Sequence, residues 1–589
     1  MISELMTQFL VCVLHYGQKS QRPMIRLSTI AYRPIGLRRI AAIAAASLLL
    51  GFASQASADE ESEEAADLII AAEEALKERR YQDASRDYLA AAEISENAEV
   101  AKAATRIAYS YGFTDDGINA ARRWSKLEED SDEARLYLAQ LYLRAGEIRQ
   151  SRRTFEDLIE AGDDPAEEQL HRLVPLLAQE DPVYAYEVMR QLARPYKDSA
   201  LAHYSVAVLA LDAGETEVAR ERAQQAIEID DEWVKPHLVY ARSLLYDGDE
   251  EGAIDYTARL VGDDPDPDPE ARIELAIMLV SAGRDDDALS QVNQVLLEQP
   301  YRTDALRLMA IINFRLEYLD AAQSDFEDLL QSGAYRMDAL YYLGRIADRR
   351  EEHDAAIRYY SQVTGGSNAV MAQSRVAGLL SQQGDNEKAL EHIDRFAEIN
   401  PNHAVDMLRT KAQLLVTLER YDEALDTFDK VIEYRPGQEG VYLSRAELML
   451  RMGREEDAIE AYRAAAERWP DSALSLNALG YTLADRTDRY DEAEKLIRKA
   501  LDMEPESAAI MDSWGWVLFK QGKHEEALTH LERAYEKLRD PEVAAHIVEV
   551  LWVLDRRDDA RTTLENAELL FPDSDLLLDV RERLVDAPN

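Results

Sequence analysis

Helix-breaking residues recur along this chain at a nearly constant interval. Pro401, Pro436, Pro470 and Pro505 are separated by 35, 34 and 35 residues, and Pro265 and Pro300 carry the rhythm upstream, with Pro572 closing it downstream. That period constrains the fold more than any other feature. It is long enough for two short antiparallel helices and their turns, and a unit of that size cannot bury its apolar face alone, so the units must stack. The chain has only 24 Gly and 18 Pro in 589 residues, with 47% hydrophobic residues. That is a helical composition, too poor in turn residues for an all-β protein. The apolar material is spread along an array rather than gathered into one ball.

Within each period a finer pattern holds. A small residue is followed by a turn residue at +7, a second small residue at +12 and a proline at +24, as in Ala446, Gly453, Ala458 and Pro470. Ala241, Gly248, Ala253 and Pro265 repeat it, as do Ala276, Gly283, Ala288 and Pro300, and Ala377, Gly384, Ala389 and Pro401. The two small residues permit close approach where antiparallel helices cross. The glycine permits the left-handed conformation that ends a helix. The acidic residues after it, in Gly283-Arg284-Asp285 and Gly384-Asp385, are expected to cap the next helix. The proline stops the second helix.

These positions resemble the tetratricopeptide-repeat family. Asn477-Ala478-Leu479-Gly480-Tyr481, then Tyr490-Asp491-Glu492-Ala493, Ala500 and Pro505 is close to its consensus, with one extra residue in the turn. Tyr421-Asp422-Glu423-Ala424 with Pro436 is another near copy. The resemblance runs over about residues 66–572, firm from 198 onward and degenerate before. It implies an all-α superhelical solenoid of about fifteen helix pairs, from Asp67–Ile94 to Pro541–Leu570, with a capping helix over Asp575–Leu584. The first pair (Tyr81, Ala84, Tyr88, Ala91) fits, and the next three, to Ala193, are irregular. Two interruptions, the Asp263–Glu270 stretch DDPDPDPE and the Gly-Gly pair within Thr364–Asn368, are candidate joints. The expected organisation is a leader over 1–58, degenerate repeats over 59–195, an array over 196–368 and a C-terminal array with its cap over 369–589.

The leader reads as a signal peptide. Arg38 and Arg39 precede a 13-residue apolar run, Ile40–Phe52, and Ala56-Ser57-Ala58 is a small-residue cleavage pattern. The run is too short to span a bilayer. Met24 is a plausible start that would leave Cys12 outside the protein. Cys12 is the one cysteine, so the chain after Ala58 has no disulfide, thiol nucleophile or lipid-attachment cysteine. A periplasmic or envelope location follows, with membrane attachment left open. Net charge is −47, and the part after residue 58 carries 113 acidic against 61 basic side chains. Such a surface repels nucleic acid and suits basic partners or a saline setting.

Catalytic and cofactor motifs are not found. His524 and His530 are six apart, whereas a zinc-protease helix needs its histidines four apart, and Leu528 holds that place. The DDPDPDPE stretch lacks the glycine and spacing of a calcium loop. No phosphate-cradling glycine loop and no Gly-x-Ser-x-Gly elbow occurs. No cofactor, no metal and no enzymatic activity are expected.

A partner site is expected instead. In the family the first helix of each pair lines the concave face, which implies that residues near one, four and five places after the small residue, and three before it, face the groove. These are Asn477, Tyr481, Asp512, Trp516, Phe519, Lys520 and Trp552, whereas Trp514 is placed in the core. Aromatic side chains there offer rigid contact area at low entropic cost. If Trp516 and Trp552 line an open groove, their truncation weakens binding and spares melting. The carboxylate-clamp positions hold Asn477, Tyr481 and Ser513 without a Lys/Arg pair, which disfavours that mode.

Finally, Ser507–Val553, with Met511-Asp512-Ser513-Trp514-Gly515-Trp516, is similar to a narrower group of Gram-negative envelope tetratricopeptide-repeat proteins. Its members include the lipoprotein partner of a carboxyl-terminal processing protease, although Asp59 stands where such a lipoprotein carries cysteine. This resemblance implies an adaptor that activates an envelope serine protease and presents cell-wall (peptidoglycan) hydrolases to it. A scaffold for envelope assembly or polymer export, and an uncharacterised enzyme, remain alternatives.

Overall fold

A computed structural model describes residues 60–77, 80–263, 267–400 and 403–586. The expected leader, with Cys12 and Met24, lies outside these residues, as do 264–266 of the acidic stretch. No helix among the described residues is long and apolar enough to cross a membrane.

The described chain is all-α, with no strands. It forms fifteen consecutive helix pairs, the first Glu60–Lys77 with Tyr81–Ile94 and the last Pro541–Val553 with Arg557–Leu570. A short helix, Asp575–Val580, and a final turn, Arg581–Val585, follow. Most helices have 13 or 14 residues, as a 34-residue unit allows. By contacts the chain divides into two compact units, at Asp325 and Phe326 within the second helix of the eighth pair.

In each unit the core is a succession of local clusters. The largest of the C-terminal unit runs from Leu443 to Val580. In the N-terminal unit one such cluster runs from Leu238 to Ile312. The repeating small residues lie at the helix crossings. Ala241, Ala276, Ala412 and Ala446 are fully buried, as are their partners Ala253, Ala288, Ala424 and Ala458. At the glycine crossings even a methyl group has little or no room, at Gly117 and Gly344 as well as in the thirteenth and fourteenth pairs. A Cβ on Gly480 would stand 2.5 Å from Ile497 Cγ1, and one on Gly515 2.6 Å from Leu531 Cγ and 3.1 Å from the Ala527 carbonyl.

The +7 turn residue adopts the left-handed conformation, as at Gly283 (φ 75°) and Gly453 (φ 70°). Four repeats place an acidic residue there instead: Glu317 (φ 62°), Glu351 (59°), Glu419 (57°) and Asp555 (59°). The register of the repeat thus forces side-chain-bearing residues into a region that costs them about 1–2 kcal/mol.

The expected capping of second helices is found after Gly248, where Asp249 Oδ1 accepts from Gly252 N at 3.0 Å, and is corrected at Asp285 and Asp385. Asp385 holds the N-cap position but makes no side-chain cap bond. Its carboxylate takes Lys388 Nζ at 2.7 Å. Asp285 lies in the first helical turn and accepts from Arg315 Nε at 2.8 Å. Acidic residues there still favour the positive end of the helix dipole. Side-chain caps fall mostly on first helices, as where Ser472 Oγ accepts from Ser475 N and Asp540 Oδ1 from Glu542 N at 2.8 Å, although Asp249 and, in the fourth pair, Asp181 cap second helices.

The irregular N-terminal sequence is regular as structure in its second and third pairs, Ala98–Tyr111 with Thr114–Leu127 and Asp132–Arg144 with Ile148–Ala161. Only the fourth is broken. Its first helix is split into Ala166–Arg172 and Val174–Leu177, with Pro175 in the second piece, and its second helix, Pro182–Leu192, is short. Proline cannot donate the helical hydrogen bond. In the ninth pair the second helix, His353–Tyr360, ends early before the Gly-Gly turn. Buried Gln373 caps that end, its Nε2 donating to the carbonyls of Tyr360 at 3.0 Å and Val363 at 2.8 Å.

Candidate functional site

The first helices of the last three pairs, Ala473–Arg486, Ala508–Lys520 and Pro541–Val553, carry most of the residues singled out by repeat phase. Gly480 and Gly515 let each helix sit close against its second helix. That contact fixes the rotation of each first helix and brings one polar stripe of the three together.

Tyr481, on the thirteenth pair, reaches past the fourteenth. Its hydroxyl donates to Glu542 Oε1 of the fifteenth at 2.7 Å. Between them, Nδ1 of His546 and Oδ1 of Asp512 lie 2.9 Å apart, with His546 only 5% and Asp512 6% exposed. The His546 ring stacks on Trp516 at 3.9 Å with a 21° interplanar angle, and lies 6.2 Å from the Tyr481 ring. Trp516 Nε1 donates to Asp485 Oδ1 at 3.2 Å. Lys520 Nζ lies 4.7 Å from the Trp516 ring centroid and 3.9 Å from Asp485 Oδ1. Phe519 lies 5.1 Å from Trp516 and 5.4 Å from His524.

The structure thus brings Tyr481, Asp512, Trp516, Phe519 and Lys520 into one cluster. Trp516 is 4% exposed and faces His546 rather than open solvent. The expectation that its truncation spares melting is therefore replaced by the opposite one. Half-buried Asn477 stands one turn before Tyr481, and its Oδ1 is buried without a hydrogen-bond partner. Trp552 stands apart, half-buried beneath the Arg557 guanidinium at 3.9 Å and near that of Arg561 at 5.8 Å. Trp514 is in the core, edge-on to His530 at 6.3 Å.

Four participants were not singled out: Asp485, which holds after Gly480 the place Lys520 holds after Gly515, and Asp540, Glu542 and His546, which lie outside the positions read. Their signal was present. Glu542 lies seven residues, two helical turns, before Glu549, which holds the groove position one after Val548. His546 is one turn after Glu542. The groove stripe simply extends further toward the helix start than the positions around the small residue.

Electrostatics bind the cluster. Burial alone would depress His546, but the adjoining Asp512 carboxylate, with Glu542 and Glu549, raises it to about 9. Burial raises Glu542 to about 7, the positive His546 opposing and Asp512 assisting. Burial also raises Asp540, against the backbone N–H it caps and helped by Asp512. The Tyr481 hydroxyl is pushed far up by burial and the Glu542, Asp485 and Asp512 carboxylates. At neutral pH the cluster holds a His546–Asp512 ion pair, a neutral phenol and a carboxyl near its midpoint. A buried pair of this kind contributes definition more than net stability. What the arrangement leaves partly exposed is the Tyr481 and Phe519 rings with Asp485, Glu542 and Lys520, over a buried Trp516–His546–Asp512 floor.

Profiles described as tetratricopeptide repeat match residues 309–370, 377–439, 409–473 and 477–542, then 244–312, and 133–161. A TPR repeat-containing protein of Pseudomonas aeruginosa is 33% identical over 214 residues, 36% of this chain and 36% of the relative. One of Methanocaldococcus jannaschii is 24% identical over 255 residues, 42% of this chain and 44% of the relative. The matched stretches thus span less than half the length of these curated relatives. The crystal structure of yeast Tom70 aligns over 90% of this chain and 96% of that one at 16% identity, with a TM-score of 0.33. The profile matches together cover more than half of the sequence, and they fall in phase with the helix pairs: the chain belongs to the tetratricopeptide-repeat family.

Proposed function

We propose that this protein is a non-enzymatic scaffold of the periplasm or cell envelope. It binds other proteins along the first-helix face of its last three pairs. The observation that carries this reading is the half-buried set Tyr481, Phe519, Asp485 and Glu542 on three consecutive first helices, held in place by the buried Trp516, Asp512 and His546 beneath it. Rigid aromatic area beside polar groups is what recognition of an extended or helical segment requires. The excess of carboxylates favours a segment bearing Lys or Arg.

The partner we propose is an envelope serine protease of the carboxyl-terminal processing class, which the scaffold activates and to which it presents cell-wall hydrolases. The Ser507–Val553 resemblance supports this, and that stretch includes two of the three helices of the face. The signal-peptide pattern before Asp59 supports export. Affinity purification of the full chain from envelope extract tests the reading. Recovery of a processing protease together with wall hydrolases supports it. Recovery of envelope assembly or polymer-export components without a protease would replace it with an assembly role.

A further inference from the structure

The contact between Tyr481 and Glu542 has a property that partner binding does not require. It joins the thirteenth pair directly to the fifteenth, across 61 residues of chain. Elsewhere in the same unit, side chains of first helices bond to a neighbouring pair, as Ser475 does to Glu439 and Ser374 to Thr410. Here two turns of separate repeats are tied over the intervening helix, and the tie is made by a carboxyl in a crowded acidic setting.

The groups around it can be counted from each element. The thirteenth pair contributes Tyr481 and Asp485, and the fourteenth Asp512 and Lys520. The fifteenth contributes Asp540, Glu542, His546 and Glu549. Glu549 is paired with Arg583 of the final turn, and His524 stands beyond Phe519. With Glu549 so taken, and Asp485 held by Arg486 at 2.9 Å and Lys520 at 3.9 Å, Asp512, Asp540 and Glu542 are left to share His546. A buried group of that composition cannot ionise fully without repulsion, so one acid takes up a proton more readily than it would in water. Glu542 is the member whose bond spans the repeats.

We infer that Tyr481 and Glu542 form a proton-controlled pin that locks the last three helix pairs together in mildly acidic conditions and releases them as the medium becomes alkaline. Burial together with the Asp512 and Asp540 charges outweighs the Tyr481 hydroxyl bond, which by itself favours the carboxylate form of Glu542, and the sign of the pH dependence follows from linkage. Glu542 holds its proton more tightly folded than unfolded, with its folded midpoint raised to about 7, so its contribution is full below the usual carboxylate range and is lost as pH rises through that midpoint. His546, raised to about 9, contributes in the same sense at higher pH, fully below its ordinary range and lost through about 9. The two therefore act in succession and in one direction. The interval from pH 5 to 6.5 falls mainly to Glu542, because folded His546 stays protonated throughout and the unfolded imidazole only reaches its midpoint at the upper end, which adds about twofold in the same direction.

Hydrogen exchange of the full chain, read by mass spectrometry on the Pro541–Val553 segment and corrected for intrinsic chemical exchange, tests the pin. In the wild type, protection falls by about tenfold from pH 5 to 6.5, against a ceiling of about thirtyfold for one proton over that interval. Glu542→Gln, which keeps an acceptor and cannot ionise, leaves only the imidazole's contribution of about twofold. Tyr481→Phe lowers protection of the segment throughout, while Ala404–Thr417 of the eleventh pair is unchanged. A flat wild-type profile overturns the pin whether or not the variants fold. So does a Glu542→Gln slope equal to the wild type's, or Tyr481→Phe protection indistinguishable from it.

Discussion

Replacing Trp516 by alanine probes the site at its most heavily packed side chain. Trp516 is 4% exposed, stacks on His546 at 3.9 Å and donates to Asp485 at 3.2 Å. Truncating a buried aromatic costs about 3–5 kcal/mol, of which the ring stack accounts for roughly 1. The change also removes the indole donor from Asp485, which keeps Arg486 Nε at 2.9 Å and Lys520 at 3.9 Å. A loss of about 4 kcal/mol is therefore expected, as the sum of cavity, stack and hydrogen bond. In a repeat array this cost falls on the pairs in contact with the cavity, so the last three should unfold ahead of the rest. Urea titration followed by far-UV circular dichroism should show a separate early transition. Exchange of Ala508–Lys520 should quicken, while that of Glu439–Arg451 stays as it was. Trp516→Phe keeps one aromatic ring but loses the hydrogen bond and the rest of the indole, so its cost is about 1–3 kcal/mol. Half-buried Trp552, changed to alanine, should cost less than Trp516. Unchanged melting and exchange in Trp516→Ala would refute the placement of this side chain and the cluster built on it.

Three further outcomes rest on other parts of the fold. Glu419→Gly and Asp555→Gly relieve side chains held at φ near 57° and 59°, and each should stabilise by roughly 0.5–1 kcal/mol after the entropic cost of glycine, read as a higher urea midpoint. Gly515→Ala places a methyl 2.6 Å from Leu531 Cγ and 3.1 Å from the Ala527 carbonyl, and should destabilise by about 1–3 kcal/mol in the same titration. In the N-terminal unit, Arg242 grips Glu274 through two bonds of 2.6 and 2.5 Å, with the Glu274 side chain 5% exposed. Arg242→Ala should cost about 2–4 kcal/mol by stranding that carboxylate, whereas the Arg242→Met, Glu274→Leu double variant should recover most of the loss. A double variant no more stable than the single one would contradict that reasoning.

The pair architecture was legible because the same small residues return wherever two helices must cross, and Ala241, Ala276 and Ala446 are buried there as their phase requires. The left-handed turns were legible at glycine and hidden at Glu317, Glu351, Glu419 and Asp555, where register overrides residue preference. Regularity in the second and third pairs was hidden for the complementary reason. Thr105 and Ser151 are buried there in positions that other repeats give to alanine or glycine. Capping was misread at Asp285 and Asp385 because a carboxylate near a helix start has two uses, and arginine or lysine from a neighbouring position took both. Asp512 and Trp516 were found by phase. Their partners Glu542 and His546 were not, because they stand six and two residues before Val548, outside the places read around the small-residue position. Contacts that skip a repeat depend on how closely three first helices approach, which no single-repeat pattern encodes.

The central claim is that the first-helix face of the last three pairs is where a partner engages. Site-specific photo-crosslinking in envelope-derived cells tests it most directly, with the probe placed at Lys520, at the rim of the cluster, or at Leu297, exposed on the second helix of the seventh pair. The account predicts a crosslinked processing protease at position 520 and none at 297. Absence of that adduct at 520, or equal yield at both positions, would contradict it.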